Sequence, residues 1–98
     1  MNSKILTLLG FARKAGRLAV GTMACEQSVT RKKAHLVLIA SDISDKSRKE
    51  IKFLCEKHGA SVADAPFTID DMTQAIGTKA GIVAVQDDGF ARAIAEKL

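Results

Sequence analysis

The sequence predicts an α/β protein, a three-layer α/β/α sandwich with a four-stranded mixed sheet and five helices. Two observations carry this expectation. Leu36-Val37-Leu38-Ile39-Ala40 and Ile82-Val83-Ala84-Val85 are apolar runs without a polar break. Such runs suit strands covered on both faces, as in the middle of a sheet layered by helices. Around them lie stretches with apolar residues at helical spacing, so the signals alternate as αβαβαβαβα, which implies a largely parallel or mixed sheet with helices on both sides. The 98 residues form one domain, 1–98, with no linker or internal repeat. A chain of this size buries roughly 60–70% of its unfolded surface, enough for one core without staples.

Each element has its own signal. Ile5, Leu8, Leu9 and Ala12 fall at helical spacing, widened by Leu6 and Phe11, and predict a helix over 3–15. Asn2 or Ser3 is placed to cap its start, Arg13 and Lys14 complement the dipole at its end, and Gly16 supplies a left-handed stop. Arg17-Leu18-Ala19-Val20 reads as a short strand. Gly21-Thr22 is a turn and helix-start signal, with a helix over 22–32 and the central strand after it. Ser41-Asp42-Ile43-Ser44 is a loop containing a capping residue. In the next helix Ile51, Leu54, Cys55 and His58 share one face, the other face is charged, and Gly59 ends it. Val62 marks a short strand and Asp64-Ala65-Pro66 a loop. Thr68 with Asp71 three residues on is a variant capping box, and Phe67 and Met72 are spaced as its hydrophobic staple. This helix stops at Gly77. Asp87 or Asp88 caps a last helix whose stripe is Phe90, Ala91, Ile94, Ala95 and Leu98.

Charge is unevenly distributed. The net charge is +4, but residues 1–35 hold seven Lys and Arg against one acid, Glu26. The remainder holds eight basic residues and ten acids. The expectation is one basic surface made by Lys14, Arg17, Arg31, Lys32 and Lys33, including the Gly21 turn and facing an anionic partner. No apolar stretch approaches the roughly 20 residues that span a bilayer, so no membrane partner is expected. At the N-terminus the positive charges follow the apolar patch and no cleavage pattern appears, unlike a signal peptide. Cys25 and Cys55 lack metal or redox spacing and fit reduced core thiols in a cytoplasmic protein.

Nothing points to catalysis, a metal, a cofactor or a small-molecule substrate. Asp70-Asp71 and Asp87-Asp88 are adjacent in sequence, so their side chains do not face each other on a helix, and both sit where carboxylates stabilise a helix start. His35 and His58 lack partners at ligand spacing. The glycines make no phosphate-loop pattern.

The residues point instead to RNA. Gly21-Thr22 places free N–H groups at a helix N-terminus, a ready site for phosphate. Phe67 is read as the one aromatic of four outside an amphipathic stripe; in the loop after Pro66 it is placed either to stack on an unpaired base or to staple the following helix. The balance leans slightly to exposure and stacking. A protein-interaction module meeting an acidic partner through the same basic face is the alternative.

Phe11-Ala12-Arg13-Lys14-Ala15-Gly16, Gly21-Thr22, Ala34 through Asp42, Leu54-Cys55 and Ala75-Ile76-Gly77 occur in one order at one spacing. In this the chain resembles the kink-turn RNA-binding ribosomal proteins (the L-seven-Ae/L-thirty-e superfamily), and most closely their small bacterial YlxQ-like branch. The resemblance implies the α/β/α sandwich, binding of a structured, kink-turn-like or ribosomal RNA, and association with the ribosome. It places the RNA site at the turn into helix two, on Gly21, Thr22, Met23 and Gln27, with a second contact at Pro66, Phe67 and Thr68. In the family pattern that turn carries Asn, Glu and Lys side chains which read sheared G·A pairs. Here those positions are Met23, Ala24 and Gln27, so weak preference for a kink-turn is expected.

Overall fold

The computed structural model describes residues 3–98. Its elements are α1 (Ser3–Lys14), β1 (Leu18–Val20), α2 (Thr22–Thr30), β2 (Leu36–Ile39), α3 (Asp45–His58), β3 (Val62–Asp64), α4 (Ile69–Ile76), β4 (Ile82–Val85) and α5 (Asp88–Ala95). The cap expected at Asn2 or Ser3 lies outside the described side chains.

The sheet order is β1-β4-β2-β3. The two unbroken apolar runs are the two inner strands, which is why neither run has a polar position. β4 is antiparallel to both β1 and β2, with Ala19 opposite Ala84 and Leu38 opposite Val83. β2 and β3 pair in parallel across the α3 crossover, with Leu38 opposite Ala63. Successive strand side chains point to opposite faces, and this divides the core. Leu36, Leu38, Val83 and Val85 pack with Ile5, Leu9, Met72, Ile76 and Ile94, so α1, α4 and α5 cover one face. Val37, Ile39, Ile82 and Ala84 pack with Cys25, Val29, Ile51 and Cys55, so α2 and α3 cover the other.

Helix ends follow the local sequence. Ser44 accepts from the Ser47 N–H at the start of α3, and Asp87 accepts from the Phe90 N–H at the start of α5. Both bonds of the Thr68–Asp71 capping box are present. Gly16 and Gly59 take the left-handed conformation (φ 71° and 73°) that ends α1 and α3. α2 stops at Thr30, short of the expected 32, because Lys32 is itself left-handed (φ 59°). α1 and α4 cross closely at Gly10, where an added Cβ would lie 3.2 Å from the Ala75 carbonyl oxygen.

Aromatic placement departs from the expectation. Phe67 is only 2% exposed, whereas Phe11 is 53% and Phe53 69% exposed. Phe11 lies two residues from Leu9, and Phe53 two residues from both Ile51 and Cys55. Two residues on a helix is about 200°, so each ring points away from its buried stripe.

The strand directions give the sheet two distinct ends. Gly21 N–H donates to the Ile82 carbonyl (3.0 Å), Ala40 N–H to Gly81 (2.9 Å), and Ser41 N–H to Phe67 (2.8 Å). The ends of β1, β2 and β3 and the start of β4 therefore share one end. At the opposite end Gln86 N–H donates to Arg17 (2.8 Å) and His35 N–H to Val85 (2.8 Å).

Candidate nucleic-acid interface

At the first end, Gly21 has φ 95° and ψ 160°, a conformation that is sterically open to glycine and closed to side chains. It reverses the chain from β1 into α2 within one residue. No side chain caps α2 and its first turn holds no acid. The N–H groups of a helix's first turn have no partner inside the helix, so those of Thr22, Met23 and Ala24 face outward with the positive end of the dipole. Thr22 is exposed and Met23 is 74% exposed. Gln27 lies one turn further along the same exposed side.

The loop of Pro66, Phe67 and Thr68 reaches this same end, joined to it by the Ser41–Phe67 hydrogen bond. Pro66 is exposed. The expectation that the Phe67 ring lies open for stacking is corrected: it packs in the core with Met72, the apolar partner placed by the staple spacing. The Thr68 hydroxyl accepts the Asp71 N–H and takes part in the capping box.

The five basic side chains divide differently from the single surface expected. Arg17 and Gly21 occupy opposite ends of β1, about 13 Å apart over four extended residues. Arg31, Lys32 and Lys33 follow the far end of α2, about 13 Å from its start. Lys14 ends α1, on the other face of the sheet from α2. The basic residues thus gather around the Arg17 end, approaching it from both faces, while Gly21 stands at the other end. All five are exposed, and among the described residues none takes part in an ion pair. Two acids at the Arg17 end are engaged: Asp87 caps α5, and Asp88 lies 2.9 Å from Arg92 and 3.9 Å from His35.

Three residues escaped the sequence reading. Lys79, exposed and three residues before Ile82, brings a cation to the Gly21 end. Only the pairing of β1 with β4 places it there, and no local pattern signals it. Ser28 is buried at 3% exposure, and its hydroxyl accepts from the Gln86 carboxamide at 2.8 Å. A separation of 58 positions along the chain hides that pair from any motif.

The thiols offer no nucleophile. Burial, with Cys55 and Glu26 nearby, pushes the Cys25 thiol up to about 12, and burial raises Cys55 as well; a thiol held protonated is inert. Among the described residues no cluster of three or more His, Cys, Asp or Glu could hold a metal ion, and no helix is long and apolar enough to cross a membrane.

Comparison with known proteins bears on the family and the fold. The sequence profile of the Ribosomal protein L7Ae/L30e/S12e/Gadd45 family matches residues 3–95. The RNA-binding protein YlxQ of Enterococcus faecium is 28% identical over 89 residues, covering 91% of this chain and 85% of that protein. A protein of unknown function from Bacillus halodurans superposes with a TM-score of 0.89 at 28% identity, over 95% of this chain and 94% of the other. The 15.5kD RNA binding protein of Giardia lamblia has the same fold, with a TM-score of 0.78 at 20% identity over 97% and 82% of the two chains.

Proposed function

Because the chain belongs to the Ribosomal protein L7Ae/L30e/S12e/Gadd45 family, we propose that it is a non-catalytic RNA-binding protein that sets the N-terminus of α2 against the backbone of a structured RNA. RNA binding is what the name of the Enterococcus relative states of that protein. The observation that carries the site is the uncapped start of α2 behind Gly21. Three outward N–H groups and the positive helix end form an anion site that needs no side chain. Lys79 adds charge at the same end, and the exposed Thr22, Met23 and Gln27 border it. The basic residues around the Arg17 end extend the contact to a longer RNA. Structured RNA of the ribosome is the partner in this reading, and the cytoplasm its location.

Specificity should be low. Side chains that read base edges contribute roughly 1–3 kcal/mol of discrimination for each good contact. Ala24 has no hydrogen-bonding side-chain group, and Met23 has only a weakly accepting thioether. Contacts through backbone N–H groups and cations hold phosphate and carry no sequence information.

The test titrates labelled RNA with the purified protein, comparing a kink-turn with a plain hairpin of equal length, and maps ultraviolet adducts. The expected result is similar affinity for both, with adducts on the Gly21–Met23 segment. Met23→Asn with Ala24→Glu should then raise preference for the kink-turn. Failure to bind either RNA at low salt, with recovery of acidic proteins free of RNA, would overturn the reading in favour of a protein-interaction module. Tight selection of the kink-turn by the unmodified chain would refute the specificity argument alone.

A further inference from the structure

The end of α2 is finished in an unusual way. α1 and α3 stop with paired bonds around a left-handed glycine. In α1 these are Arg17 N–H to the Ala12 carbonyl and Gly16 N–H to Arg13; in α3 they are Ala60 N–H to Cys55 and Gly59 N–H to Glu56. α2 stops with the same pair, Lys33 N–H to Ser28 and Lys32 N–H to Val29, but the left-handed residue is Lys32. A side chain in that conformation is disfavoured by roughly 1–2 kcal/mol. Strained backbone of this kind persists where the surrounding structure uses it.

The turn at Lys32 folds Lys33 back beside Arg31. Both line one shallow concavity of about 200 Å³, walled by Ala24, Gln27 and Ser28 of α2 and closed by Gln86 at the end of β4. The lining contains no carboxylate, and neither cation has an ion-pair partner among the described residues. Across its floor the Gln86 carboxamide is held by its bond to buried Ser28. A carboxamide nitrogen carries two N–H groups. With one bonded to Ser28, the second is available to a ligand.

We propose that this concavity is a second phosphate subsite, in which Arg31, Lys33 and the Gln86 carboxamide hold one phosphodiester of an RNA strand running down α2 from the Gly21 turn. The proposal rests on the RNA-binding reading and adds a place, a stoichiometry and a residue that reading lacks. Cations at a helix C-terminus also complement the dipole, which would explain Arg31 and Lys33 without a ligand. That explanation leaves the Gln86–Ser28 floor and the strained Lys32 unaccounted for. It also predicts a different experiment: a purely structural role moves stability and leaves RNA binding unchanged.

The test measures RNA affinity between about 50 and about 200 mM salt, using a labelled hairpin with a single-stranded flank, on four proteins. These are the unmodified chain, Arg31→Gln with Lys33→Gln, Gln86→Glu, and a control, Lys49→Gln with Lys57→Gln on the outer face of α3. Each cation removed from the RNA backbone lowers the slope of log affinity against log salt by about one. The double variant should therefore drop by about two units of slope and about tenfold in affinity near 0.15 M salt. The control should change neither by as much. Gln86→Glu keeps the shape and can accept from Ser28, but it places a carboxylate in the cradle, so it should weaken binding at low salt with an unchanged melting temperature. If Gln86→Glu fails to fold, the double variant decides alone. RNA binding by the unmodified chain with an unchanged slope in the double variant would overturn the subsite and leave the α2 N-terminus standing. No binding by the unmodified chain would overturn both.

Discussion

Three helices begin at the Gly21 end of the sheet, and the first turns of two of them, α2 and α4, are built from opposite chemistry. The start of α4 is closed. Thr68 and Asp71 exchange bonds across it, Asp42 accepts the Ile69 N–H at 2.8 Å, and Phe67 and Met72 seal the turn from below. Three carboxylates, Asp42, Asp70 and Asp71, surround those N–H groups. The start of α2 is open, with a glycine for a cap, no acid in its first turn and an exposed methionine at its second residue. A cap satisfies orphan N–H groups and stabilises a helix by about 0.5–2 kcal/mol. α4 takes that stabilisation, and α2 forgoes it. The contrast separates a helix start that serves the fold from one that leaves its donors to an incoming anion.

The closed start of α4 depends most heavily on Phe67. Phe67→Ala should destabilise the protein by about 3–5 kcal/mol, the range for a fully buried ring, as read from urea unfolding. RNA affinity corrected to the folded fraction should stay the same. Loss of affinity without loss of stability would return Phe67 to the interface. A smaller effect is expected at Thr68, where Thr68→Ala removes one arm of the capping box and should cost about 1 kcal/mol, again with RNA binding intact.

Met23→Glu sharpens the contrast from the other side. A carboxylate in the first turn of α2 complements the dipole and should stabilise the fold by about 0.3–1 kcal/mol, visible as a raised melting temperature. The same charge should repel phosphate and weaken RNA binding. Opposite signs in the two measurements are the signature of an open helix end held for a ligand; a rise in both would remove α2 from the site.

The smallest effect concerns acid. Arg48 binds Asp64 and donates to the Ser41 carbonyl at 3.1 Å, steadying the loop that supplies Asp42 to α4. The hydrogen bond from Lys52 holds the Asp64 carboxyl below its ordinary value of 3.8, against some opposition from partial burial, and the Lys52 charge and Arg48 lower it further. A depressed carboxylate contributes stability above its unfolded pKa and loses it as pH falls through the folded value. The loss should therefore begin near pH 3.8 and deepen below it. Asp64 is half exposed, so the contribution is at most about 1 kcal/mol. Acid titration of Asp64→Asn should show that much less sensitivity, with RNA binding near neutral pH unaltered.

How far the sequence could be read differed between the fold and the site. Leu36–Ala40 and Ile82–Val85 identified the inner strands because a strand covered on both faces has no polar position to break the run. Gly16, Gly59 and the Thr68–Asp71 box marked helix ends because the physics of a helix end is local, complete within a turn. Phe67 was ambiguous, because stacking loop and hydrophobic staple share one spacing and differ only in what lies beneath the ring. The basic residues were misplaced together: counting charge along the first 35 residues cannot tell that Lys14 and Lys33 flank a sheet whose far end holds Gly21.

What the sequence alone determined, then, is the alternation of elements, the caps and stops, and the glycine that opens α2, since each depends on residues within a few positions of one another. Tertiary structure alone decided which ends meet. The insertion of β4 between β1 and β2 brought Lys79 to Gly21, joined Gln86 to Ser28, and put Lys14, Arg17, Arg31, Lys32 and Lys33 at the opposite end from Gly21. Those neighbours are set by strand order and direction, which arise from burying two different helix layers on one sheet. No stretch of the chain carries that information by itself, because the cost of closing long loops grows only slowly with their length and burial does not depend on how far apart in sequence its partners lie.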